Sequence, residues 1–172
     1  MIVLIDKLPR EGLEVSRDFE FSSSELLDES ALFIQPAHAE LKVKKIGEGI
    51  FVKGKIVTWL SLICSRCLMP YKYYVDLKCD LVYLPEEPDE LKEELSEDDM
   101  NNIFYRNRQI DLREVVLEQI NLSFPVKPLC SEECQGICPV CGKNQRFGKC
   151  DCAVEDSDLR LNTLKTFIKD RR

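Results

Sequence analysis

The chain has 172 residues, a formal net charge of −7, and 44% hydrophobic and 32% charged residues, a globular composition with room for one real core. No run approaches a membrane span, and the opening MIVLIDKLPREGLEV has too short an apolar run and no basic leader for a signal peptide, so the expected compartment is the cytoplasm. The negative charge argues at first against nucleic acid, but Pro85–Asp99 alone carries nine carboxylates and one lysine, which leaves the other residues near +1.

The N-terminal half has the period-two alternation of antiparallel strands. Leu13, Val15, Phe19 and Phe21 alternate with Glu14, Ser16, Asp18 and Glu20. A second short strand carries Leu41 and Val43 and breaks at Gly47-Glu48-Gly49, a hairpin signal. In the next run Val52, Ile56, Leu60 and Leu62 share one face and Lys53 and Lys55 the other. From Tyr71 to Tyr83 the alternation is strict, and it puts Cys79 on the apolar side as a small core residue. The acidic stretch 85–99 is expected to be a loop. Asp111 is expected to cap a helix over 111–121, with Glu114 completing a capping-box pattern and Leu112, Val115, Val116 and Ile120 as its core stripe. Pro125 and Pro128 prevent continuation. A last helix is expected over 158–169, with Leu161, Leu164 and Ile168 on one face.

The expected architecture is therefore α+β: a β-rich antiparallel core, barrel-like or a curved sheet, with two short helices and a C-terminal cysteine-rich zinc knuckle. The division falls near residue 128, with 1–128 as the core and 129–172 as the cysteine-rich segment and final helix packed on it.

Eight of the nine cysteines carry the strongest signal. Cys64-Ser-Arg-Cys67 lies in a turn between two long strands, and the string CSEECQGICPVCGKNQRFGKCDC places Cys130, Cys134, Cys138, Cys141, Cys150 and Cys152 close together. Structural zinc takes four thiolates at about 2.3 Å, and one tight C-x2-C turn delivers two of them. A disulfide framework is disfavoured by the reducing compartment and the odd cysteine count. One or two zinc ions are expected. Cys138, Cys141, Cys150 and Cys152 make one plausible set and Cys64, Cys67, Cys130 and Cys134 a second. The rival is a single ion held by Cys64 and Cys67 with two of the C-terminal cysteines.

Catalysis has little support. The one histidine, His38, stands in a QPAHAE stretch expected to be a loop, and no Ser/His/Asp set, glycine-rich phosphate loop or His-Glu-x-x-His pattern occurs. A closed four-cysteine site has no open position for a substrate. A thiol redox or metal-carrier role for Cys64 and Cys67 lacks the βαβ context of thioredoxin-like motifs. Lys42, Lys44, Lys45, Lys53, Lys55 and Arg66 cluster near Trp59, Tyr73 and Tyr74, a mixture that suits RNA.

The segments CSRCLMPY (64–71), IDLREVVLEQINLSFPVKPLC (110–130), the cysteine string (130–152) and DLRLNTLKTF (158–167) resemble, in order, the YceD-like family of large ribosomal RNA subunit accumulation proteins, in its cysteine-rich branch. The family's first C-x2-C falls on Cys64 and Cys67, with its arginine at Arg66. Its C-P-x-C-G-x-N-x-N loop falls on residues 138–146, where Asn144 is kept and Arg146 replaces the last asparagine. The resemblance implies a role in 23S ribosomal RNA accumulation and large-subunit assembly, through RNA or through an assembly protein as partner. It implies no established catalytic step; no small-molecule substrate and no membrane partner are expected.

Overall fold

The computed structural model describes residues 1–85, 103–105 and 107–152. All of the acidic stretch beyond Pro85, and the helix expected over 158–169, lie outside the described residues. Among the described residues eight strands run in chain order: β1 (Ile2–Leu4), β2 (Leu13–Phe19), β3 (Leu32–Phe33), β4 (Ala37–Ile46), β5 (Gly49–Ile63), β6 (Pro70–Pro85), β7 (Ile103–Tyr105) and β8 (Gln109–Asp111), followed by helix α1 (Leu112–Leu122).

The main sheet has the order β2-β4-β5-β6-β7, with β3 also on β5, and β1 pairs with β8 in a separate ribbon. Among the described residues the sheet is open, not a closed barrel. Pairing is antiparallel except at the edge, where the short β7 lies parallel to β6. The expected antiparallel pattern fails there because a strand reached by a long connection is free to enter in either direction. One α-helix, not two, occurs among the described residues.

The alternation sorts the long strands as expected. Val52, Ile56, Leu60 and Leu62 on β5 and Val75, Cys79 and Tyr83 on β6 are buried in one core. Gly47, at φ +61°, starts the two-residue loop between β4 and β5, the position a type II′ hairpin turn reserves for glycine. Helix α1 buries Leu112, Val115, Val116 and Ile120 in the same core, each contributing roughly 1.5–3 kcal/mol relative to exposure.

Two local expectations are corrected. The Asp111 carboxylate does cap α1 by accepting from the Arg113 N–H at 2.9 Å, but no bond from Glu114 closes a box. Its other partner is the Met1 ammonium, 2.7 Å away, brought there by the β1–β8 pairing. The capping box lies instead at Ser22 and Glu25, around a short 3-10 turn. His38 is in β4, not in a loop, with Nδ1 2.7 Å from the Asp18 carboxylate across the β2–β4 ladder.

Cys79 sits in the core opposite Gly54, and burial, with the neighbouring Asp80 carboxylate, pushes its thiol up to about 11. It is therefore inert at neutral pH. Cys79→Ala is expected to cost only about 1–2 kcal/mol and to leave metal content unchanged. Urea unfolding with elemental analysis checks both, and a loss of metal would show that this sulfur is a ligand after all.

Candidate metal centres

Each centre starts from a C-x2-C turn, and the two turns share one hydrogen-bond pattern. At the end of the β5–β6 hairpin the Leu68 N–H donates to the Cys64 carbonyl at 2.9 Å and the Cys64 N–H to the Met69 carbonyl at 3.0 Å. In the string, the Gly142 N–H donates to the Cys138 carbonyl at 2.9 Å and the Cys138 N–H to the Lys143 carbonyl at 2.9 Å. Flanking pairs match too, Ile63 with Pro70 and Ile137 with Asn144. The residue after the second cysteine takes a positive φ in both, +55° at Leu68 and +72° at Gly142. Glycine adopts that conformation freely, whereas leucine pays about 1–2 kcal/mol. The first turn therefore carries strain that the sequence does not advertise.

The eight sulfurs fall into two groups, Cys64/Cys67/Cys130/Cys134 and Cys138/Cys141/Cys150/Cys152, with all Sγ atoms of a group within 4.8 Å of one another. In the first, Cys64 Sγ lies 3.8 Å from Cys134 Sγ and Cys67 Sγ 3.7 Å from Cys130 Sγ. A tetrahedron with bonds of about 2.3 Å to a central ion has edges of about 3.8 Å. None of the nine cysteines is in a disulfide. The donor set fits a soft tetrahedral ion.

Electrostatics agrees with that fit. Burial raises the Cys64 thiol, but the backbone N–H groups of Cys67, Cys130 and Arg66 outweigh it and draw it down to about 6. The N–H groups of Cys141 and Val140 do the same for Cys138, also to about 6. Burial and the surrounding sulfurs of Cys134, Cys67 and Cys64 push Cys130 up to about 12, and the sulfurs of Cys141 and Cys150 push Cys152 up to about 12. Each group thus stabilises a first thiolate and resists further negative charge, the resistance a bound cation would remove.

The groups differ in depth. Cys64, Cys67 and Cys134 are buried, whereas Cys141 is exposed and Cys150 and Cys152 are partly so. The segment carrying Cys130 and Cys134 is bound to the first turn at several points. The Arg66 guanidinium donates to the carbonyls of Glu132 and Cys134 at 3.0 and 2.9 Å. The Ser65 N–H donates to the Pro128 carbonyl at 2.8 Å; from the second turn, the Asn144 amide donates to the Cys67 carbonyl at 2.9 Å. Gly136, at φ +75°, lies so close to Arg66 that a Cβ there would meet its carbonyl oxygen at 2.9 Å. Gly136 and the contact role of Asn144 escaped the sequence reading; the retained asparagine of the C-terminal loop was the one signal for the latter.

Lys53 pairs with Asp80 at 2.9 Å, Lys55 with Asp76 at 3.0 Å and Lys42 with Glu14 at 2.7 Å, all on the outward face of the sheet. Lys44 and Lys45 are exposed near the end of β4 and make no ion pair among the described residues. Arg66 is occupied by the carbonyls just named.

Residues 52–168 match the family described as large ribosomal RNA subunit accumulation protein YceD, well over half of the chain and a span that takes in both sulfur groups. An uncharacterised protein of Mycobacterium tuberculosis strain H37Rv is 31% identical over 103 residues, 60% of this chain and 48% of that protein. The large ribosomal RNA subunit accumulation protein YceD of Haemophilus influenzae is 31% identical over 103 residues, 58% of this chain and 54% of that protein. A chloroplastic YCED homolog 1 of Arabidopsis thaliana is 30% identical over 57 residues, 33% of this chain and 18% of that protein. The chain spans about half the length of the first curated relatives it matches. No solved structure matches it. The chain belongs to the YceD family. No helix among the described residues is long and apolar enough to cross a membrane.

Proposed function

We propose that this YceD-family chain is a zinc-stabilised factor in 23S ribosomal RNA accumulation and large ribosomal subunit assembly, acting in the cytoplasm by binding RNA and not by catalysis. The observation that carries the reading is the family match across both sulfur groups. Cys64, Cys67, Cys130 and Cys134 hold one zinc and Cys138, Cys141, Cys150 and Cys152 the other. Four-sulfur shells leave no position for a substrate, so the metal supports a binding surface.

The competing reading is a protein-binding adaptor in assembly, favoured by one observation: Lys42, Lys53 and Lys55 are each neutralised by a carboxylate on their own face. Salt dependence separates the two, because phosphate contacts release counterions. Titration with large-subunit ribosomal RNA fragments at several salt concentrations is expected to show binding that weakens as salt rises, and Lys44→Glu with Lys45→Glu to weaken it further. Absence of RNA binding at low salt, with a ribosome-assembly protein co-purifying in defined stoichiometry, would establish the adaptor instead.

A further inference from the structure

The outward face of the sheet carries large apolar side chains that the core does not use. Trp59 on β5 and Tyr74 on β6 are directly opposite one another. Their ring centroids are 4.8 Å apart with planes tilted by 41°, and they are 37% and 46% exposed. Leu32 and Ile34, 53% and 45% exposed, lie beside them, Ile34 bonded through its N–H to the Trp59 carbonyl. Tyr73, one residue away, points the other way and donates its hydroxyl to the Ser123 carbonyl at 3.3 Å. The sequence placed Tyr73 and Tyr74 together; the pleat leaves only Tyr74 for a partner.

Charge is arranged around this pair in register. The outward positions of β6 run Lys72, Tyr74, Asp76, Lys78 and Asp80. Asp76 and Asp80 are neutralised by Lys55 and Lys53. Lys72 and Lys78 are exposed and make no ion pair among the described residues. They bracket the aromatic pair over about 20 Å of strand.

We propose that the Trp59–Tyr74 pair is a stacking platform for unpaired bases of single-stranded RNA, with Lys72 and Lys78 contacting the phosphates on either side. This deepens the RNA-binding reading and rests on it. A base offers a flat π-face to each exposed ring, and two flanking lysines supply the charge that a strand's backbone requires. An extended apolar peptide would fit Leu32 and Ile34 but would leave Lys72 and Lys78 without a role.

Trp59 is the only tryptophan, so its fluorescence reports on this site alone. Titration of the full chain with a short oligouridylate is expected to quench it saturably. Tyr74→Ala is expected to weaken binding roughly 5- to 100-fold, with Tyr74→Phe close to wild type. Lys72→Glu and Lys78→Glu should each lower the salt slope by about 0.7. Tyr74 is exposed, so the alanine variant keeps the fold, which circular dichroism verifies. If labelled RNA binds by anisotropy while Trp59 stays silent or Tyr74→Ala binds normally, the platform is refuted and RNA binding lies elsewhere on the chain. If no RNA binds at low salt, the broader reading falls with it. Quenching of Trp59 by a purified assembly protein would reassign this face to a protein partner and overturn the proposal.

Discussion

Cys64→Ser is expected to lower bound zinc from two ions per chain to one and to cost more than about 4 kcal/mol, the range reserved for loss of a metal site. Cys64 Sγ is fully buried, with backbone N–H groups of three residues directed at it. A serine oxygen in that place is a poor zinc ligand. With the ion gone, the segment around Cys130 and Cys134 keeps its hydrogen bonds to Ser65 and Arg66 and the packing of Leu129, and those hydrogen bonds are worth about 1 kcal/mol each at best. In a chain of this length the melting temperature should fall by roughly 10 °C or more. Cys141→Ser, at an exposed ligand of the second group, should also remove one ion but loosen only residues around 138–152. Hydrogen exchange distinguishes the two, since the strands at 51–63 should keep their protection in Cys141→Ser. Two ions retained in Cys64→Ser, or equal loss of strand protection in both variants, would refute the assignment.

Gly54→Ala should be the most damaging substitution in the sheet, at about 3 kcal/mol or more. Gly54 is in β5, between Leu41 of β4 and Cys79 of β6. A Cβ there would come within 1.9 Å of the Glu40 carbonyl oxygen and 2.9 Å of both the Glu40 carbonyl carbon and Leu41 Cα. All three are backbone atoms, so no side chain can swing aside, and the β4–β5 ladder itself must shift. Glycine in a strand interior marks such an approach of another backbone. Gly47→Ala is the contrasting variant. Its Cβ would meet nothing within 4 Å, so only the positive φ is penalised, at about 1–2 kcal/mol. Urea unfolding of the pair measures the difference. A cost below about 1 kcal/mol for Gly54→Ala would mean the strands have room to part.

Much of this protein is determined by its sequence alone, because the signals are local. Side chains alternate across a strand, so Val52, Ile56, Leu60 and Leu62 had to share a face. The helical stripe of α1 and its Asp111 cap follow from the same kind of short-range geometry. The two C-x2-C turns are local as well, each closed by hydrogen bonds within six residues. What only the tertiary structure decided depends on chain segments far apart. Spacing allowed several partitions of the eight sulfurs, and the grouping arises because the segment from Pro128 to Gly136 packs against the turn at Arg66. Lysines that look free along the chain prove to be paired, since strand register sets Lys53 beside Asp80 and Lys42 beside Glu14. The left-handed Leu68 has no mark in the sequence, because the surrounding turn, not the residue, imposes that conformation. The exposure of Trp59 and Tyr74 on the sheet's outer side follows from the same register, which decides what each face meets.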